Sequence, residues 1–155
     1  MLGFDGFEAC DGSGYSGGVV TSWKKDCVTI ELIDKKFQYM HLRVKYQNGK
    51  DWFFTTIYVS PNEENRRLFW NDMYDISLNM NCGWMLAGDF NDIASPFEKK
   101  GGVINSSRKC AKFVERINKC HLMDLGASGS KYTWRGTFYH GGARIYEKFD
   151  RGLNN

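Results

Sequence analysis

The feature that most constrains the fold is a pair of strand-like segments separated by a tight turn. Residues 37–46 alternate apolar and polar side chains, and residues 52–59 (WFFTTIYV) are rich in β-branched and aromatic residues. Asn48 and Gly49 lie between them, and both tolerate the positive φ angles of a two-residue hairpin turn. The sequence therefore predicts an antiparallel hairpin whose first strand has one face formed by Met40, Leu42, Val44 and Tyr46.

Helical patterns follow this hairpin. Pro61 ends the second strand, and the apolar residues Phe69, Met73, Ile76 and Met80 then recur at helical spacing. Glu63 and Glu64 lie early in this helix, where its dipole favours acids. A second helix is predicted over residues 106–120, and its inward face is predicted to comprise Phe113, Val114, Ile117 and His121.

Further strands are interleaved with these helices. They are predicted at residues 19–23, 27–33, 83–88, 131–134 and 143–150, and the Gly-rich stretch before residue 19 is predicted to form turns. The long hairpin excludes a purely parallel sheet. These elements together predict an α/β fold with mixed sheets.

The composition excludes several classes of protein. The 155 residues make up one domain's worth of chain, and no apolar run reaches the ~18 residues that a membrane span needs. The N-terminal segment lacks the pattern of a signal peptide, so we expect an intracellular protein of the nucleus or cytoplasm. The five cysteines have no C-x-x-C spacing, which favours core thiols over disulfides or zinc. His41, His121 and His140 share no ligand spacing, and we expect none to be catalytic.

The charge is divided unevenly along the chain. Residues 1–95 contain 9 Lys and Arg against 13 Asp and Glu, a net −4, whereas residues 96–155 contain 12 against 5, a net +7. A basic half beside an acidic half suits a partner that carries phosphates. The basic side chains Lys109, Lys112, Arg116 and Lys119, however, are typical of a solvated helix face.

The stretch WMLAGDFNDI (84–93) is a buried strand pattern that becomes polar at Asp89 and Asn91. Side chains two apart in an extended strand share a face, so Asp89 and Asn91 would point the same way while Phe90 points into the core. A carboxylate can orient or deprotonate water, and an amide can donate to a phosphoryl oxygen. Asp and Asn are also common turn residues after a strand, so these four positions alone leave both interpretations open.

Several ordered segments resemble one known family. They are GYSGGVV (14–20), IYVSPN (57–62), MLAGDFNDI (85–93), EKKGG (98–102), HLMDLGASGSKYTWRG (121–136) and ARIYEKFDRGL (143–153). In this order they resemble the endonuclease domain of plant LINE-type (non-LTR) retrotransposon proteins, within the endonuclease/exonuclease/phosphatase superfamily. The resemblance implies a four-layer α/β sandwich of the αββα type. It also implies hydrolysis of DNA phosphodiesters with Mg²⁺ (or Mn²⁺).

The same resemblance implies roles for individual residues. Asp89 resembles the catalytic aspartate that positions the attacking water, and Asn91 its partner that steadies the phosphoryl group. Tyr58 matches an active-site tyrosine near the phosphate, and Thr133 a threonine that contacts the DNA backbone. Asp150 is similar to the aspartate that orients the catalytic histidine. Tyr58 and Thr133 are also ordinary strand residues, and Asp150 could instead pair with Arg151.

The sequence also departs from the family pattern. The metal-binding Glu of an early strand has no counterpart, since Glu8 falls in the segment that normally follows it, and no Ser-Asp-His strand is present. We therefore expect residues 1–155 to form a single partial domain that lacks terminal strands and is weakly active or inactive as an endonuclease. Its principal metal ligand is absent, so metal binding is in doubt. The alternatives are a nucleic-acid-binding or inert retroelement remnant, and a relative of the sugar or lipid phosphatases.

Overall fold

A computed structural model describes residues 3–12, 18–46, 49–103, 107–139 and 142–155. The helices are α1 (Glu63–Leu78) and α2 (Ser107–Lys119). The strands are β1 (Gly6–Cys10), β2 (Val19–Trp23), β3 (Thr29–Lys36), β4 (Tyr39–Lys45), β5 (Trp52–Tyr58), β6 (Trp84–Asp89), β7 (Lys99–Lys100), β8 (Met123–Asp124), β9 (Trp134–Phe138), β10 (Arg144–Glu147) and β11 (Asp150–Asn154).

A six-stranded mixed sheet forms the centre of the fold, in the order β3-β4-β5-β6-β11-β8. The predicted hairpin is confirmed, because β4 pairs antiparallel with β5 from Tyr39↔Ile57 to Val44↔Trp52. Its turn residue Asn48 lies outside the described residues. β5 and β6 pair in parallel, and α1 makes the crossover between them. All the other pairings in this sheet are antiparallel.

The first helix forms as the sequence predicts. Asn62 is its N-cap, and the Asn62 side chain accepts hydrogen bonds from the backbone N–H groups of Glu64 (3.0 Å) and Asn65 (3.2 Å). Of the predicted stripe, Phe69 and Met73 are buried together with Trp70, and Ile76 and Met80 pack against the same core.

The inward face of the second helix differs from the prediction. Its buried residues are Cys110, Phe113 and Ile117, which are spaced by three and four positions and define one stripe. Val114 lies at the margin of that stripe and is exposed. His121 is also exposed, because the helix ends at Lys119 and His121 takes a left-handed conformation with φ 56°.

Two smaller sheets flank the central one. β1 and β2 pair antiparallel, and β7, β10 and β9 form a three-stranded sheet. The strand at residues 6–10 was not predicted, since the sequence there was interpreted as turns. The predicted strand 143–150 is instead divided between two sheets, because β10 ends at Glu147 and β11 begins at Asp150. The predicted strand 131–134 begins only at Trp134, and the predicted strand 27–33 is displaced to Thr29–Lys36.

The central sheet buries different layers on its two faces. On one face, both helices pack over Trp84, Leu86 and Leu153, and the rings of Trp70 and Phe90 stack with centroids 6.0 Å apart. On the other face, Cys10 and Val19 of the β1–β2 sheet cover Met40 and Leu42. A helical layer, a large mixed sheet and a smaller sheet layer confirm the expected α/β fold with mixed sheets, and the described residues form three of the four layers of an αββα sandwich.

Two further features of the described residues concern the helices and the cysteines. Within the described residues, no helix is long and apolar enough to cross a membrane. All five cysteines are free; Cys10, Cys110 and Cys120 are buried as expected, whereas Cys27 is exposed.

His41 is a buried residue of β4 whose protonation would affect the stability of the fold. Its Nδ1 lies 2.7 Å from the Thr55 hydroxyl, which also accepts a hydrogen bond from the Trp84 indole N–H (2.8 Å). Burial lowers the pKa of His41 to about 4, against a smaller raising effect of Asp34. Between pH 6.5 and 4 the unfolded chain therefore binds a proton that the folded chain does not.

We expect the free energy of unfolding to fall as the pH drops from 7 to 4, by up to about 3 kcal/mol from His41 alone. Urea unfolding at a series of pH values measures this. His41→Asn keeps a polar partner for Thr55 and should flatten the dependence. His121→Asn removes an exposed histidine at a left-handed position that Asn tolerates, and the steep dependence should persist because His41 is unchanged. Equal pH profiles for the wild type and His41→Asn would contradict this role.

Gly88 in β6 is required by the close approach of β5. Its φ of 142° is unfavourable for other residues, and a Cβ at this position would lie 2.1 Å from the backbone oxygen of Ile57. We expect Gly88→Ala to lower the free energy of unfolding by more than about 3 kcal/mol. Gly83→Ala is the matched control just before β6, since its Cβ would make an ordinary contact of 3.7 Å with Trp52. Similar urea midpoints for the two variants would show that the strands can separate without cost.

Candidate active site at the end of the central strands

Three of the predicted site residues lie on adjacent strands of the central sheet. Tyr58 ends β5, Asp89 ends β6 and Asp150 begins β11. The pairing register places Tyr58 opposite Asp89 and Asp150 opposite Asp89. Residues paired across a sheet project on the same side, so the three side chains share one face. Tyr58 packs against the cluster of Met40 and Leu42, which identifies that face as the one opposite the helices.

Asn91 also lies beside Asp89, but in a turn and not in the extended strand that the sequence predicted. The strand ends at Asp89, and Asn91 has φ 48°, so the two residues are not alternate positions of one extended strand. Instead, the Asn91 backbone N–H donates to Asp89 Oδ1 (2.7 Å) and closes a tight turn. The Asn91 side-chain amide donates to the Val59 carbonyl (2.8 Å). The turn interpretation and the site interpretation of this stretch are therefore compatible. Phe90 is buried in the core, as predicted.

Thr133 lies just before β9 and contacts the backbone of the β10–β11 connection. Its hydroxyl oxygen accepts hydrogen bonds from the backbone N–H groups of Phe149 (3.1 Å) and Asp150 (3.0 Å). Phe149 in turn accepts a hydrogen bond at its carbonyl from Phe90 N–H (3.0 Å). Thr133 therefore fixes the entry to β11 beside the end of β6. The structure brings all five predicted residues to one end of the sheet, and their catalytic roles stay predictions.

The electrostatics of the site centre on Asp89. Burial raises the pKa of Asp89, the hydrogen bond from Asn91 N–H opposes this, and the nearby charge of Asp150 raises the pKa further. A carboxylate with a raised pKa is a stronger base than an exposed one, because its charged form is less well stabilised. Asp89 is thus suited to accept a proton from a water molecule, and the pair with Asp150 favours a cation or proton between them.

The described residues do not complete a cation site for the implied Mg²⁺ or Mn²⁺. Across the ranges that the structure describes, no group of three His, Cys, Asp or Glu side chains could hold a metal ion. Asp89 and Asp150 supply two carboxylates at most, without the acidic ligand that the resemblance requires.

Sequence reasoning missed Arg66, which holds the turn containing Asn91. From α1, Arg66 donates to the carbonyl oxygens of Asn91 (2.7 Å) and Pro61 (3.0 Å), and it lies 3.2 Å from the carboxylate of Asp92. These contacts tie the segment after β5 to the segment after β6. The only signal in the sequence was the position of Arg66 in the first turns of the predicted helix, which does not distinguish it from Arg67.

Arg151 is a second missed residue. Its side chain is 0% exposed, points away from Asp150, and binds Glu98 and Asp124 (2.6 Å). The suggested pairing of Asp150 with Arg151 is therefore wrong, because neighbours in a strand point to opposite faces. Glu98 also accepts a hydrogen bond from the Ala94 N–H (2.7 Å). Arg151 thus connects the loop after Asn91 to the strand that carries Asp150.

The histidines do not add to this site in the described residues. His41 is buried within β4 beneath the helices, and His121 is exposed beyond α2. His140 lies outside the described residues. The segment Ser13–Gly17, which contains most of the GYSGG stretch, also lies outside them.

Comparison with known proteins rests on structure alone. No protein-family model and no curated protein sequence matches the chain. The endonuclease domain of TRAS1, a telomere-specific non-LTR retrotransposon, is similar with a TM-score of 0.71 at 11% identity, covering 97% of this chain and 67% of that one.

More distant similarities extend to other enzymes. A mannosyl-6-phosphatase of Bacteroides thetaiotaomicron matches with a TM-score of 0.53 at 15% identity, over 100% of this chain and 64% of that one. The human Nocturnin catalytic domain matches with a TM-score of 0.51 at 12% identity, over 88% and 52%. The chain thus spans between about half and two thirds of the lengths of these structures.

These similarities establish the fold, and they agree with the resemblance found in the sequence except that a plant origin is not shown. Proteins as different as a retrotransposon endonuclease and a sugar phosphatase share this arrangement of sheets and helices. The chain therefore has the fold of the endonuclease/exonuclease/phosphatase proteins.

Proposed function

We propose that the end of the central sheet is a site for hydrolysis of DNA phosphodiesters, and that the chain derives from a retroelement endonuclease. The observation that carries this proposal is the register of three strands, which aligns Tyr58, Asp89 and Asp150 on one face. A tyrosine hydroxyl beside two carboxylates can donate to a phosphoryl oxygen while a carboxylate orients water. The similarity to the TRAS1 endonuclease domain supports the retroelement origin.

Each residue has a chemical task in this proposal. Asp89 orients the attacking water and accepts its proton, which its raised pKa favours. Asn91 and Tyr58 steady the phosphoryl oxygens, because an amide or phenol donates a hydrogen bond without adding negative charge. Thr133 holds the backbone of Asp150 and lies near the bound DNA backbone. Asp150 would orient a histidine, which the described site does not contain.

An exposed hairpin beside the site favours nucleic acid as the substrate over a sugar phosphate. Strand β9 and the residue that follows it expose three aromatic side chains: Trp134 (40%), Phe138 (63%) and Tyr139 (40%). The Arg144 guanidinium lies over the Phe138 ring at 4.1 Å. Aromatic rings stack on bases and cations bind phosphates, so this combination suits a nucleic acid. Thr133 precedes this hairpin and Asp150 follows it, which joins the surface to the site.

The catalytic set is nevertheless incomplete. The described site has no histidine and no third carboxylate. Preorganised groups of this kind each contribute about 10²–10³-fold to the rate. We therefore propose that this chain alone is weakly active or inactive. Binding of nucleic acid without chemistry is the alternative, and the hairpin supports it equally well.

Nicking of supercoiled plasmid DNA tests the proposal. We expect the 155-residue chain to leave the plasmid essentially uncut in the presence of Mg²⁺, since each preorganised group that the described site does not contain is worth about 10²–10³-fold in rate. A version extended with a Glu-bearing strand before residue 1 and a Ser-Asp-His strand after Asn155 should nick it. Conversion of supercoiled to open-circular DNA on agarose gels measures both.

The controls separate the alternatives. Asp89→Ala in the extended version should abolish nicking, whereas DNA binding should persist. Release of phosphate from sugar phosphates by the extended version, without nicking, would favour the phosphatase reading instead. Robust nicking by the short chain that is lost on Asp89→Ala would show that the missing groups are not needed.

A further inference from the structure

A groove lined by basic residues runs between the two helices, outside the site described above. Two neighbouring cavities, of about 650 Å³ and about 250 Å³, both have Lys112 and Arg116 in their lining, and together they are called the groove below. Their lining includes seven Lys or Arg side chains against the three acids Glu63, Asp92 and Glu115. The groove therefore has a net positive charge, which attracts a polyanion.

Two of these acids are engaged by cations within the groove. Glu63 accepts hydrogen bonds from Lys112 and from Arg116 (2.9 Å). Burial alone would raise the pKa of Glu63, but these two cations outweigh it and lower the pKa to about 2. Asp92 pairs with Arg66 at 3.2 Å. The acids thus hold the walls together, and the seven basic side chains of the lining still outnumber its three acids.

Basic residues of α2 form a row along this groove. Arg108, Lys112, Arg116 and Lys119 are spaced by four, four and three positions, which places them on one side of the helix. The Arg116 side chain is only 12% exposed, so it forms part of the groove wall rather than a solvated arm as the sequence suggested. At 1.5 Å per residue the row spans about 16 Å, over which one strand of duplex DNA advances by about five nucleotides.

The groove adjoins the turn that contains Asn91, on the helix side of the sheet, whereas the Tyr58, Asp89 and Asp150 side chains share the opposite face. Arg66 lines the larger cavity and also donates to the Asn91 carbonyl at 2.7 Å. Asp92, the next residue after Asn91, lines the same cavity. A strand whose phosphate lies at Asp89 and Asn91 would therefore pass around the Asn91 turn, at the end of the sheet, to reach the groove.

We propose that this groove binds the phosphate backbone of one DNA strand as it leaves the active site, an inference that rests on the proposed function. Its concave shape and its linear row of cations fit an extended polyanion. A membrane surface would instead require cations on a convex face that can approach a plane. The groove binds without regard to base sequence, because phosphates carry no sequence information.

The salt dependence of DNA binding tests the proposal. The 155-residue chain is titrated, without divalent cations, into a fluorescein-labelled duplex of about 20 base pairs, a length that covers the row and the site. Anisotropy is measured from low to high NaCl. Arg108→Gln/Lys112→Gln should weaken binding at low salt by about tenfold or more, and the slope of log K against log [NaCl] should become shallower by about 1.8, since each lost phosphate contact removes about 0.9.

Lys24→Gln/Lys25→Gln is the matched control, because it removes the same two charges from an exposed turn between β2 and β3, away from both helices. It should keep the slope of the wild type. Thermal melts check that each variant is folded. A second groove variant, Lys119→Gln, should lose less DNA affinity than the double groove variant, because it removes one charge instead of two. Lys119 lies over the Tyr74 ring at 4.2 Å, so its removal leaves the Glu63 pairs intact.

The possible results distinguish a failure of the groove proposal from a failure of DNA as the proposed substrate. If both double variants lost the same amount of DNA affinity, the groove proposal would be overturned, because the loss would be a general effect of net charge. Loss of binding to anionic phospholipid vesicles in the groove variant, with DNA binding unchanged, would overturn it in favour of a membrane. If the wild-type chain does not bind DNA at any salt, DNA as the substrate fails together with the groove. If the wild type and the control variant bind DNA and the groove variant does not, the groove proposal is supported. This holds even if the extended version does not nick plasmid DNA.

Discussion

The parallel pairing of β5 with β6 is the constraint on which the rest of the structure depends. It requires a crossover, which α1 provides, and it aligns the two carboxyl ends so that Tyr58 lies opposite Asp89. Antiparallel addition of β11 then brings Asp150 to Asp89 from the other side. Polar residues at the ends of buried strands can converge only when the register is fixed this way. A shift of one residue would turn these side chains to the helix face.

The turn after Asp89 adds Asn91 to the residues that this register aligns. Gly88 permits the close approach of β5, and the Asn91 N–H then closes back on the Asp89 carboxylate. Arg66 holds the outer side of that turn from α1, and Arg151 holds the following loop through Glu98. A fully buried cation such as Arg151 is costly unless its partners satisfy it, and removal of one partner leaves an unpaired charge. The geometry of the site is thus set by buried ion pairs that contribute nothing directly to chemistry.

The sequence predicted the features that depend on local pattern. The β4–β5 hairpin, the α1 stripe and the burial of Phe90 follow from alternation and helical spacing, and the structure has all three. The division of residues 143–150 between two sheets was not predictable, because no breaker residue separates Glu147 from Asp150. The parts played by Arg66 and Arg151 could not be predicted either. Both depend on partners 25 to 53 positions away in sequence, which no local pattern encodes.

The fold shows where the basic residues of the second part of the chain lie. The basic second part supplies α2, which lines the groove, and the β9–β10 hairpin, which leads into β11 and Asp150. The carboxylates repel a polyanion, so attraction has to come from neighbouring surfaces rather than from the site itself. The groove begins beyond β5 and β6, whereas the hairpin leads into β11. In the proposed complex, a DNA strand bound at both surfaces would be held close to the carboxylates despite their repulsion, which would bring a phosphodiester within reach of a water molecule at Asp89.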